Sequence, residues 1–195
     1  MATLRELNTQ DLREETFAPY VRDCIVDFKA GMDAQFIGHV EAKHLEVSNK
    51  FLRERITKGE WDDDLKKIIF PSKASSIDGI AEMDLCRVIG DHLLHGSNGD
   101  EFGCLVEFLA WAKCDWGITK DLPKGDAFVS RLDMPKGVSG RLYDRDRRHD
   151  WRKGPIACTR IEVIITRNVK FWEDMVFYGR SRRKPFFVKT AYGVE

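Results

Sequence analysis

The chain has 195 residues, and its 32 basic residues balance 32 acidic ones to a formal charge of zero. With 43% hydrophobic and 11% aromatic residues it suits one folded domain and excludes a disordered segment. Neutrality argues against a binder that grips nucleic acid by bulk positive charge, leaving local basic patches as the route to such a partner.

The opening stretch, MATLRELNTQDLREE, is too charged for a secretion signal. No run nears the ~20 apolar residues of a membrane span, so the chain reads as soluble. Residues 1–34 read as helical, because Leu4, Leu7, Leu12, Phe17, Val21, Ile25 and Phe28 recur at helical spacing. Residues 39–57 read as the next helix, with Val40, His44, Val47, Phe51 and Leu52 on one stripe and Gly59 as a stop. Lys66–Phe70 is short and apolar. Pro71-Ser72 breaks it, and Ser75 or Ser76 is expected to cap a third helix running through His95.

Phe102–Trp116 suits a helix, and residues 117–137 read as loops carrying a short strand at Phe128–Leu132. Val138–Tyr143 reads as a strand and Arg145–Lys153 as a charged loop. Cys158–Thr166 alternates, with Ile161, Val163 and Ile165 on one face and Arg160, Glu162 and Ile164 on the other. Asp174–Tyr178 and Pro185–Tyr192 are expected as the last two strands. Helices first and strands afterwards predict an α+β fold, N-terminal helices packed on a C-terminal antiparallel sheet. The five cysteines are scattered without a C-x-x-C pair, so they read as free, buried thiols.

Three constellations can carry chemistry. His39, His44 and Arg55 supply imidazoles and a guanidinium. His44 and Arg55 share a helical face, but an unbroken helix would hold them about 16 Å apart at ~1.5 Å per residue, so a shared phosphate needs a break after His44 or a long reach by Arg55. The plainer reading is a half-buried histidine and a solvated arginine. Thr190 and Tyr192 are two apart, so on a strand their hydroxyls point to one side, although both are ordinary strand formers. Basic clusters lie at Arg141, Arg145, Arg147, Arg148 and Lys153, with His149 and Trp151 interleaved, and at Arg180, Arg182, Arg183 and Lys184. Such groups suit phosphate contact and base stacking, and equally suit solvated hairpin loops in which Asp144, Asp146 and Asp150 cancel the charge. His39 and His44 miss the four-residue spacing of a helical zinc pair, and His92 and His95 read as ordinary helix-end histidines. Neither metal nor cofactor is expected. Nucleotide-binding glycine loops and a nucleophile elbow are absent from the sequence.

The order of the signals is informative as a whole. Gly38-His39 leads to His44, Ser48, Leu52 and Arg55-Ile56. Phe70-Pro71 precedes an Ala/Ser-rich stretch read as a helix, Val138-Ser139-Gly140-Arg141-Leu142 follows, then a strand at 160–166, and last Phe187-Val188-Lys189-Thr190-Ala191-Tyr192. This order resembles the bacterial RNase A-like toxin domain, found at the C-terminal tips of contact-dependent growth inhibition proteins and other polymorphic toxins, over most of residues 36–195. The resemblance implies a ribonuclease-A-like α+β fold without its disulfides across residues 35–195, with residues 1–34 as a helical N-terminal extension. It carries His44, Arg55, Thr190 and Tyr192 onto the family's active-site positions, and matches His39 to a histidine that members often carry. It also implies metal-independent RNA cleavage in the cytoplasm of a target bacterium, tRNA among the candidate substrates. Delivery on a larger toxin carrier and a small cognate immunity protein that blocks the site are implied as well.

The chemistry is self-consistent. An internal 2′-hydroxyl is a nucleophile already in the substrate, so the enzyme needs proton transfer and charge stabilisation, not a metal. A histidine, with a reference pKa near ~6.5, moves protons at neutral pH. Arg55 can stabilise the charged phosphorane, and the product ends in a 2′,3′-cyclic phosphate. Arg141, Arg147, Arg148, Lys153, Arg182 and Arg183 are the candidate RNA-backbone contacts. Two rivals stand beside this reading: a non-enzymatic binding module of immunity or adaptor type, and a metal-dependent nuclease built on Asp62–Asp64, His92 and His95.

Overall fold

The spacing of Phe17, Val21, Ile25 and Phe28 gives helix α1 (Glu14–Lys29) one fully buried stripe. That stripe meets Leu85, Cys86, Ile89 and Leu93 of α4 (Glu82–His95). Both helices share a single core with Ile161, Val163 and Ile165 of strand β8 (Arg160–Arg167) and with Val188 and Ala191 of β10 (Phe186–Val194). Leu132 of β5 (Ala127–Asp133) and Phe171, Trp172 and Met175 of α5 (Val169–Tyr178) complete it. The computed structural model describes residues 6–12, 14–32, 40–62, 65–96, 127–146 and 152–195. The helix expected at Phe102–Trp116 and residues 147–151 of the charged loop lie outside them.

The fold is α+β, with antiparallel sheets. In one three-stranded sheet β8 is central, flanked by β10 and β5. In the other, β6 (Ser139–Asp144) lies between β4 (Lys73–Asp78) and β7 (Ile156–Cys158). Helix α3 (Asn49–Lys58) closes one face of this second sheet, where Leu52 and Ile56 meet Ala74 and Tyr143. Strand β10 also lies against β4 and β6. Gly193 makes that approach possible: a Cβ there would sit 2.7 Å from Cys158 Sγ and 3.3 Å from the Ser76 carbonyl. Two small ribbons finish the fold, β1 (Leu7–Asn8) with β9 (Arg180–Ser181) and β2 (Glu60–Asp62) with β3 (Lys67–Ile69).

Several expectations are corrected. Ser75 and Ser76 do not cap a helix; they sit in β4, paired with Leu142 and Arg141, and α4 begins only after Ala81. Cross-strand pairing, unseen in the local sequence, overrides the capping signal there. Asp174–Tyr178 is not a strand but the end of α5, because Phe171, Trp172 and Met175 lie at helical spacing on its buried face and Gly179 closes it in the left-handed conformation. Cys158–Thr166 is not one strand. Its first residue ends β7 in one sheet, and β8 starts the other after Thr159. Cys24, Cys86 and Cys158 are buried free thiols, and burial pushes the Cys24 and Cys158 thiols up to about 12. Among the described residues no helix is long and apolar enough to cross a membrane.

Candidate active site

The expected helix over 39–57 is interrupted after His44. Residues 40–44 are helical (α2), residues 45–48 turn, and α3 starts at Asn49 with the Ser48 hydroxyl accepting from the Phe51 N–H. The turn is stitched to β4 from a distance. Leu45 bridges Ile77 in parallel, the Glu46 N–H donates to the Ile77 carbonyl at 3.0 Å, and the Val47 N–H donates to Ser76 Oγ at 3.2 Å. Glu46 takes a left-handed φ of 49° to make the corner.

Arg141 locks this corner. Its Nε and Nη2 donate to both carboxylate oxygens of Asp78, Nη1 donates to Asn49 Oδ1 at 2.6 Å, and Nη2 also donates to the Val47 carbonyl at 2.8 Å. The hydrogen bond from Arg141 is the main cause holding the Asp78 carboxyl below its usual range.

The corner turns His44 onto the end of the chain. The His44 and Tyr192 ring centroids lie 5.9 Å apart, their planes tilted by 36°. His44 is 7% exposed, so the imidazole lines the floor of the site instead of projecting into solvent. Arg55 reaches back along α3 to the residue before His44. Its Nη1 donates to the carbonyl of Lys43 at 3.2 Å, while Nε and Nη2 grip the Glu60 carboxylate at 2.8 and 3.2 Å. Among the described residues these bonds leave one further N–H on each terminal nitrogen.

Thr190 and Tyr192 point the same way because they lie two apart on β10, and an irregularity just before them sets which way that is. Val188 pairs with Ile165 and Thr190 with Ile164, leaving Lys189 as the extra residue of a bulge. Val188 and Ala191 are three apart, yet both are fully buried in one core. Only the extra residue reconciles them, and it turns Thr190 and Tyr192 to the opposite face. Thr190 is 9% exposed, and its hydroxyl has no hydrogen-bond partner among the described residues.

Two residues of this face were not singled out from sequence. Glu162 pairs in register with Tyr192 on one side and Arg131 on the other. The Tyr192 hydroxyl donates to Glu162 Oε1, and Arg131 Nε donates to Oε2 at 2.6 Å. Burial, and then this hydrogen bond, push the Tyr192 phenol well above its ordinary value, so it stays protonated. The signal available in the sequence was a lone carboxylate between Ile161 and Val163 of an apolar strand.

The remaining candidates fall elsewhere. His39, Arg147 and Arg148 lie outside the described residues. Lys153 is exposed in the turn after them. Arg182 and Arg183 pair with Glu6 and Asp174 beside the β1–β9 ribbon. Asp62 accepts from the Leu65 N–H in the β2–β3 turn, and His92 Nε2 lies 2.8 Å from Ser130 Oγ in the core, so neither stands with the other in a shared cluster. Protein-family models, curated proteins and solved structures give no match to this chain.

Proposed function

We propose that the chain is a metal-independent endoribonuclease of the RNase A-like toxin type. The observation that carries this reading is the apposition of His44 with Tyr192, beside a buried Thr190 hydroxyl that has no hydrogen-bond partner among the described residues. A buried, unmatched hydroxyl is costly to keep, and a phosphate oxygen of a bound substrate would satisfy it. In this reading His44 transfers the proton between the ribose 2′-hydroxyl or the leaving oxygen and solvent. Arg55 uses its remaining N–H groups on the phosphorane, and Thr190 hydrogen-bonds the phosphate. The exposed Lys153 holds the flanking RNA backbone, whereas Arg182 and Arg183 stay paired with Glu6 and Asp174. A cognate immunity protein and a larger delivery protein belong to the same proposal, as does action in the cytoplasm of a target bacterium.

The test uses a defined oligoribonucleotide in chelator, and the same oligonucleotide with one 2′-deoxy sugar at the mapped cleavage site. Cleavage of the first to a 2′,3′-cyclic phosphate end, with the second intact, is expected. Cleavage of both, or a requirement for added metal, would contradict the reading.

A protein-binding role is favoured by one observation. The β2–β3 ribbon exposes Trp61 and Ile68, directly paired, with Leu65 in its turn and Phe70 just beyond. Such an apolar strip on a small protein marks a contact surface, and it is compatible with an enzyme that is held inactive by a partner.

A further inference from the structure

Glu162 is 8% exposed, in a strand where Ile161, Val163 and Ile165 on the other face are fully buried. Keeping an ionised carboxylate there is unfavourable unless its oxygens are matched. Both are matched: Tyr192 donates to one and Arg131 to the other, from the two neighbouring strands. The Arg131 side chain is itself 58% exposed, so its guanidinium holds the Glu162 side chain in place while remaining in water.

The consequence falls on Tyr192. Its single proton is committed to Glu162, so the phenol can offer only its oxygen lone pairs to anything bound beside His44. We propose that Glu162 is a positioning residue of the His44 site, acting through Tyr192: it fixes the phenol as a hydrogen-bond acceptor, and the group that acceptor recognises is a ribose hydroxyl of the RNA. A deoxyribose backbone has no such donor at the 2′ position. This inference rests on the ribonuclease reading above. The charged group that pairs with Glu162 is Arg131 from β5, while Lys43 and Arg55 pair with Glu60 of β2.

The experiment compares wild type, Glu162→Gln, Tyr192→Phe and the double variant on one oligoribonucleotide. Glu162→Gln is expected to lower kcat about tenfold or more with little change in KM, and the double variant to be no worse than Tyr192→Phe alone. Its melting temperature is expected to match or exceed that of wild type, since a buried charge is removed and Arg131 stays solvated. A structural brace would lower it instead. In wild type the Tyr192 phenol proton, followed by NMR, is expected to exchange slowly, and in Glu162→Gln to exchange fast.

Full activity of Glu162→Gln in a wild type that cleaves RNA would overturn this proposal alone. So would a double variant whose loss is the product of the two single losses. A wild-type protein inert towards RNA would overturn the ribonuclease reading and this inference with it.

Discussion

Thr190 separates function from stability more cleanly than any other side chain of the site. Its hydroxyl is buried and unmatched among the described residues, a state that costs about 1–3 kcal/mol. Thr190→Val keeps the shape and removes the unmatched group. Thermal melting should show no loss of stability, while kcat/KM for RNA falls by about tenfold or more if the hydroxyl serves the phosphate. His92 makes a separate prediction. Burial lowers its pKa, so the unfolded chain binds a proton there that the folded chain refuses. Stability from this residue is full above the unfolded value of ~6.5 and is lost as pH falls below it towards the folded value. Melting temperature should therefore drop between neutral pH and about pH 5, and His92→Gln should flatten that part of the curve. Of the site, the pairing of Thr190 with Tyr192 was legible from their spacing alone. Glu162 was visible as an oddity in an apolar strand, but its partners depend on register, which no local pattern specifies.

At the level of elements, the site depends on a corner and a bulge. The apolar stripe of residues 39–57 continues through Val47 and Phe51, so nothing in it announces the turn at 45–48. That turn is set by Ile77, Ser76 and Arg141, which lie far along the chain. Arg141, expected at the RNA backbone, has its guanidinium engaged by Asp78, Asn49 and Val47. Arg141→Ala should cost about 1–3 kcal/mol and reduce RNA cleavage by releasing His44 from Tyr192. Because the Asp78 carboxyl is depressed, chiefly by the hydrogen bond from Arg141, its contribution is full above the unfolded value of ~3.9 and lost as pH falls through its lower folded value. The melting difference between wild type and Asp78→Asn should shrink over that acid window. The close approach of β10 to Cys158 makes Gly193→Ala destabilising by about 1–3 kcal/mol, measured by denaturant unfolding. The bulge at Lys189 was unreadable, since Phe187–Tyr192 looks like an uninterrupted strand.

For the molecule as a whole, helices read first and strands afterwards led to α+β, and the antiparallel sheets agree with that class, although β2–β4 precede α4 and α5 lies between β8 and β9. What the sequence misassigned were segments whose state is decided by tertiary partners: β4, read as a helix start, and the end of α5, Asp174–Tyr178, read as a strand. The N-terminal helix, read as an extension, contributes Phe17, Val21, Ile25 and Phe28 to the same core as β8 and β10. That core supports one side of the sheet whose other face carries Thr190, Glu162 and Tyr192. The central claim is that an imidazole from the first part of the chain and hydroxyls from its last strand act on one phosphodiester. The most direct measurement is the rate of cyclic-phosphate release from a short oligoribonucleotide in chelator by wild type and His44→Ala, both checked for folding by circular dichroism. The account predicts cleavage by wild type and a loss of about a hundredfold or more in the variant. Equal rates for the two proteins would contradict it.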